Sequence, residues 1–143
     1  MGPRQMSAPP LKQQDYHHLA ALRYTLRKFL RFSKDLVGGR AKLTPEQYEA
    51  LLAVKAFSKT EGLTVGELSE WVQVKHHTAV SLTDKLAARK LVTKKRSTPD
   101  RRYVCVKLTP AGSKLLASLA AAHRHEIRKH AAEMIKSLRQ LQK

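Results

Sequence analysis

Between residues 85 and 107 the chain carries Lys85, Arg89, Lys90, Lys94, Lys95, Arg96, Arg101, Arg102 and Lys107, with Asp100 as the single acid. Ammonium and guanidinium groups at this density bind phosphate oxygens through charge-assisted hydrogen bonds. Just upstream, Lys75-His76-His77-Thr78-Ala79-Val80-Ser81 mixes cations, hydrogen-bonding groups and small apolar side chains, the types that touch base edges as well as phosphates. A second kind of chemistry is metal ligation, for which His123, His125, Glu126, His130 and Glu133 are the candidates. Glu126 and His130 are one helical turn apart, but spacing alone is weak evidence, and solvated polar residues, with His123 packed at a helix seam, account for the cluster more simply. No metal and no cofactor is assigned. The chain has no Gly-x-Ser-x-Gly, phosphate-binding loop or His-Glu-x-x-His motif, so catalysis is not expected.

The whole chain agrees with a polyanionic partner. Its 28 Lys and Arg against 11 Asp and Glu leave a net charge of +17 in 143 residues, 42% of them hydrophobic. That length suits one compact domain, expected over 12–143 after a flexible arm at 1–11 that is rich in Gly and Pro. Charges interrupt every apolar stretch before the roughly 18 to 20 residues that a membrane span needs. The first ten residues have Arg4 but no apolar core of a secretory signal, so a cytoplasmic protein is expected. Cys105 alone can make neither an internal disulfide nor a thiolate cage.

The elements that must position these groups follow from periodicity and punctuation. Leu19, Leu22, Leu26, Phe29 and Leu36 step by three and four, predicting a first helix over about 13–37 that Gly38-Gly39 stops. Thr44-Pro45-Glu46-Gln47 and Thr64-Val65-Gly66-Glu67 are capping boxes that start two further helices, the second of them short. A helix beginning near Lys75 places Ala79, Leu82 and Leu86 on one face and ends around Arg89 or Lys90. Segments 91–96 and 102–108 read as a β-hairpin with a basic tip, because Val104, Val106 and Leu108 alternate with polar neighbours. From Thr109-Pro110 to Lys143 a long helix, continuous or split, carries Ile127, Ala131, Met134, Leu138 and Leu141 in a second narrow seam. The two seams, at opposite ends of the chain, are expected to pack together and to build a homodimer interface from Leu19, Leu22, Leu26, Phe29, Ile127, Met134, Leu138 and Leu141.

Short helix, turn, helix and basic hairpin is the order of a winged helix-turn-helix. A charge run alone can be a solvated face, but this one falls on the wing. At about 100° per residue, an inward face of Ala79, Leu82 and Leu86 turns His77, Ser81 and Asp84 outward, flanked by Thr78, Val80 and Lys85. The expected partner is therefore double-stranded DNA. Base contacts are assigned to His76, His77 and Ser81, a thymine methyl to Val80, and phosphates to Lys75, Thr78 and Lys85, with Arg96 joining the wing set.

Asp100, Arg102, Val106, Leu108, Thr109 and Gly112 match, at the expected spacing, the wing pattern of the multiple antibiotic resistance regulator (MarR) family, which this chain resembles. Leu68 through Val74, Thr78 through Leu82, Asp84, Leu86, Arg89, Leu91 and Val92 resemble its helix-turn-helix. The resemblance is specific from about residue 63 to 112 and rests on helix order elsewhere. It implies a mainly α (α+β) fold: a winged lobe at about 44–109, long dimerisation helices at about 13–37 and 110–143, and a two-stranded wing. It also implies that Asp100 orients a wing arginine and that a tip arginine, Arg101 or Arg102, enters the minor groove. Lys75 and Lys90 depart from the family's usual cap residue and glycine; a left-handed Lys90 would cost about 1 kcal/mol.

The function this implies is a sequence-specific transcriptional regulator, a ligand-responsive repressor acting as a homodimer on a pseudo-palindromic operator. A small-molecule effector, where one exists, is expected between the dimer helices and the DNA-binding lobe, near Tyr16, Phe57 or Trp71. Some members sense oxidants through a cysteine near the first helix; this chain has none there, and Cys105 reads as a structural mid-strand residue. The alternatives are a zinc-responsive regulator and a basic nucleoid-type architectural protein. A stacking RNA platform is disfavoured because the hairpin lacks interleaved aromatic and basic residues.

Overall fold

The computed structural model describes residues 9–143; the arm expected at 1–11 therefore lies, over 1–8, outside the described residues. The elements run α1 (Gln13–Ala41), α2 (Pro45–Phe57), β1 (Leu63–Thr64), α3 (Val65–Val72), α4 (His76–Ala88), β2 (Val92–Arg96), β3 (Val104–Leu108) and α5 (Pro110–Gln142). They form two compact units, one of residues 32–124 and one that joins the described part of 1–31 to 125–143.

In the first of these, Val37, Leu51, Val54, Leu63, Leu68, Leu86, Val106 and Leu119 are fully buried in one cluster. Each such side chain is worth about 1.5 to 3 kcal/mol of transfer free energy. The helices begin where their caps require. Thr44 accepts from the Gln47 N–H at 3.1 Å while Gln47 accepts from the Thr44 N–H at 2.9 Å; Thr64 and Glu67 repeat the exchange at 3.0 and 3.1 Å. Helices α3 and α4 close alike: Gln73 and Lys90 are left-handed, and each end has a short and a long return bond, Gln73 N–H to Glu70 O with Val74 N–H to Ser69 O, and Lys90 N–H to Ala87 O with Leu91 N–H to Leu86 O. Lys90 thus occupies the backbone state that favours glycine, at the cost anticipated above.

Helix α1 differs from expectation, for it runs through Gly38-Gly39 and stops only at Ala41, where Lys42 turns left-handed. Glycine weakens a helix by about 1 kcal/mol but does not end one. Here burial of Val37 and Ala41 holds the last turn, and the Arg89 guanidinium of α4 donates to the Ala41 and Lys42 carbonyls at 2.7 and 3.1 Å. Helix α5 is continuous.

The sheet is antiparallel in the order β1-β3-β2, with Val92 opposite Leu108 and Arg96 opposite Val104. The expected two-stranded wing thus gains a third strand, Leu63 and Thr64 opposite Val106 and Cys105. Two residues are too few to show a period of two, so nothing in the sequence announces this strand. Two glycines make the close approaches possible. A Cβ on Gly62, whose φ is +113°, would stand 2.4 Å from the Val106 carbonyl oxygen, and one on Gly112 would stand 2.0 Å from that of Leu91.

In the other unit, the early turns of α1 and the last turns of α5 line a common hollow of about 210 Å³, with His17, His18, Ala21, Leu22 and Thr25 on one side and Glu133, Met134, Lys136 and Ser137 on the other. The apolar seams are not closed by this packing. Leu19 is 43%, Leu26 41%, Ile127 46% and Leu138 50% exposed, while Leu22, Phe29, Met134 and Leu141 are half-buried. No helix among the described residues is long and apolar enough to cross a membrane.

Candidate nucleic-acid interface

Helix α4 is seated from behind. Ala79, Leu82 and Leu86 are buried, and so is Thr83, whose hydroxyl donates to the Val80 carbonyl at 2.9 Å. The opposite face is open: His76, His77, Val80, Ser81, Asp84 and Lys85 are exposed and Thr78 is half-buried. The side chains of His76, His77 and Ser81 make no hydrogen bond among the described residues, which leaves their donors and acceptors available. Lys75 is the N-cap and makes no side-chain cap bond, so the first N–H groups of the helix and the positive end of its dipole lie beside a cation. That combination attracts phosphate.

Asp84 stands on the same outer face, where a bare carboxylate would repel a phosphate. It is paired with Lys94 of β2, which neutralises it and ties α4 to the wing.

The wing turns at residues 97–103, where Ser97 N–H donates to the Tyr103 carbonyl and Tyr103 N–H to that of Asp100, at 2.9 and 3.1 Å. Asp100 receives the Arg102 guanidinium, Nε at 3.0 Å from Oδ1 and Nη2 at 2.6 Å from Oδ2, and also the Arg102 backbone N–H at 3.1 Å. These donors, the guanidinium first, hold the Asp100 carboxyl below its ordinary range. Of the two candidates, Arg102 is therefore the arginine that Asp100 orients. The Arg101 side chain is exposed and unpaired among the described residues, whereas its carbonyl accepts from Arg96 Nη1 at 2.9 Å. Arg96 is thus partly engaged in shaping the tip.

Sequence reasoning missed the group that anchors this turn. Glu61, before β1, accepts from Ser97 Oγ at 2.7 Å, Thr98 Oγ1 at 2.7 Å and Thr98 N–H at 3.2 Å. The hydroxyls, Thr98 foremost, pull the Glu61 carboxyl below the usual range. Its partners are 36 and 37 positions away, too far for any local pattern to reveal. Arg89, one of the cations in the basic run, was also opaque to sequence, since it caps α1.

The remaining candidates do not assemble into a site. Among the described residues no three His, Cys, Asp or Glu side chains gather as metal ligands. His123 is buried, stacked on Tyr48 with centroids 4.2 Å apart and its ring nitrogens against Leu119 O and Ser33 Oγ; His130 faces Glu126 at 3.3 Å, and Lys129 meets Glu126 at 3.4 Å. Cys105 is buried mid-strand, and burial pushes its thiol above the usual range, opposite to the shift that makes a reactive thiolate. Phe57 and Trp71 stack on each other at 3.6 Å, and Tyr16 is exposed on α1.

Residues 41–102 match the family model described as MarR family. No curated protein sequence matches the chain. Among solved structures, the transcriptional regulator BldR from Sulfolobus solfataricus is similar at a TM-score of 0.69 and 20% identity, covering 92% of this chain and 97% of its own. AbsC, a MarR family transcriptional regulator from Streptomyces coelicolor, is similar at a TM-score of 0.72 and 16% identity, over 89% and 84%. The MepR–DNA complex of S. aureus is similar at 0.68 and 20%, over 80% and 82%. Residues 41–102 thus match the MarR family model, and the chain as a whole shares the fold of AbsC, a solved member of that family.

Proposed function

We propose that the protein is a transcriptional regulator that binds double-stranded DNA sequence-specifically, as a homodimer on a pseudo-palindromic operator in the cytoplasm. The observation that carries the reading is the outer face of α4, where His76, His77, Val80 and Ser81 stand open beside a wing arginine already oriented by Asp100. In this reading His76, His77 and Ser81 meet base edges, Val80 a thymine methyl, and Lys75, Thr78 and Lys85 phosphates. Arg101 and Arg102, with Arg96 behind them, serve the wing, and arginine in a narrow minor groove reads DNA shape more than base identity. MepR, solved with DNA, supports the partner class by its likeness in fold.

Dimerisation is supported by the open seams, since Leu19, Leu26, Ile127 and Leu138 form an apolar surface of the kind that is rarely left in water. A dimer sitting on promoter DNA acts as a repressor by exclusion. The exposed, stacked Phe57 and Trp71 offer an aromatic surface to a small-molecule effector, which makes the repression ligand-responsive. An architectural role is the second reading, favoured by the net charge of +17.

Sedimentation at micromolar concentration should give a dimer, and truncation after Ala132 a monomer whose winged lobe still unfolds cooperatively. A duplex with half-sites about one helical turn apart should stay bound when random competitor is added. Equal competition by random duplex would replace the regulator by the architectural protein.

A further inference from the structure

A second cationic surface lies outside the helix-turn-helix and wing. On α1, Arg23, Arg27 and Arg31 follow one another at four-residue spacing, with Lys28 and Tyr24 beside them, and all five side chains are exposed. At about 100° per residue Arg27, Lys28 and Arg31 turn away from the Leu19, Leu22, Leu26 and Phe29 seam, while Arg23 flanks it beside Leu19. Dimerisation through that seam would leave at least the outer three cations open. Arg27, Lys28, Arg31 and Tyr24 line a shallow hollow of about 110 Å³, and Lys28 Nζ sits 5.1 Å from the Tyr24 ring centroid. The ridge is poor in counter-charge, with Asp35, one turn after Arg31, as its nearest acid on the helix. The only acids of α1 are Asp15, which accepts from the Lys12 N–H at 2.9 Å, and Asp35, and neither forms an ion pair with the arginines among the described residues. Like charges one turn apart weaken a helix, so the ridge opposes folding unless an anion neutralises it.

We propose that this ridge binds the phosphate backbone of duplex DNA other than the segment held by α4 and the wing, so that one dimer joins two stretches of DNA. The three guanidinium groups advance by about 6 Å per step, a repeated cationic row suited to a polyanion of regular charge rather than to a single small anion. A lipid surface would need an apolar face that dominates the cations, whereas here Arg23, Arg27, Lys28 and Arg31 outnumber the exposed Tyr24 and Leu30. Single-stranded RNA would need open rings for stacking, and the Tyr24 ring has Lys28 over it. The ridge shares no residue with the DNA contacts proposed above, but the joining of two duplexes rests on that reading.

The test uses the full chain and two 25-base-pair duplexes, one with a donor dye and one with an acceptor, mixed at equal concentration with limiting protein. The parent should bring the dyes together. R23Q/R27Q/R31Q should abolish energy transfer, leave single-duplex anisotropy binding within about twofold, and keep the parent's sedimentation and melting. In the parent, log K of the joining step should fall against log salt with a slope of about −2.7 from the three arginines, at 0.9 per phosphate contact. Energy transfer retained by the triple variant would overturn the proposal, assigning the joining to the two winged lobes. So would transfer supported by single-stranded RNA in preference to duplex. Loss of single-duplex binding in R101A/R102A with transfer lost in parallel only there would equally assign both DNA segments to the wings.

Discussion

The inner face of α4 carries Ala79, Leu82 and Leu86, all in the apolar interior, whereas the wing tip rests on Glu61, Asp100 and Arg96 at the surface. The helix is held by area removed from water, which neither salt nor pH disturbs near neutrality. The wing is held by hydrogen bonds whose acceptors are carboxylates in solvent, and these respond to both. Rigid seating suits side chains that must meet fixed base edges, and an adjustable latch suits cations that must follow a groove of variable width. Lys94 of β2, at the base of the wing, pairs with Asp84 of α4 and links the two regions.

The largest expected effect comes from attacking the seat of α4. Leu86 is almost fully buried, so Leu86→Ala should destabilise the winged lobe by about 2 to 5 kcal/mol in urea unfolding. Glu61→Ala should leave the urea midpoint within error yet speed amide exchange across residues 97–103. Equal destabilisation by the two variants would erase the distinction between apolar seat and polar latch.

Next come the wing cations. Arg101→Ala with Arg102→Ala should weaken binding to every duplex and make the slope of log K against log salt shallower by about 0.9 for each lost phosphate contact. Taken singly, the Arg102 change should also disturb the tip, because Asp100 loses its main partner, while the Arg101 change should leave tip amide shifts in place.

The smallest effect is a titration. A carboxyl whose pKa is lowered by folding contributes stability above its unfolded value and loses it as pH falls through the lowered one. The Asp100–Arg102 pair should therefore persist as pH falls through about 3.9, the ordinary aspartate value, and break only below it. The Nε–H resonance of Arg102 in nitrogen-detected spectra reads this directly. Asp100→Asn should remove the transition.

The features legible in sequence were those encoded locally. Both capping boxes and the inward face of α4 involve residues within four positions of one another or a repeating period, whereas the resemblance implied only that Asp100 orients some wing arginine, and the structure chose Arg102. The features that were opaque depend on residues brought together by the fold. Glu61 reaches Ser97, Arg89 reaches Ala41, and β1 pairs with β3 across some 40 positions. Gly38-Gly39 misled for the same reason, since packing of Val37 and Ala41 outweighed the local cost of glycine. The basic run itself divides: Arg89 and Lys94 hold the structure together, while Arg101 and Lys85 remain free for a partner among the described residues, a distinction that counting charges does not make.

The central claim is that α4 reads sequence and the wing supplies affinity. Binding-site selection on random duplexes with His77→Ala/Ser81→Ala and Arg101→Ala/Arg102→Ala tests it most directly. The helix variant should keep the parent's salt slope but relax discrimination by about 1 to 3 kcal/mol at the base pairs it touched. The wing variant should keep the parent's base preference at lower affinity. A helix variant that selects the parent's sequence, with a wing variant that does not, would contradict the account.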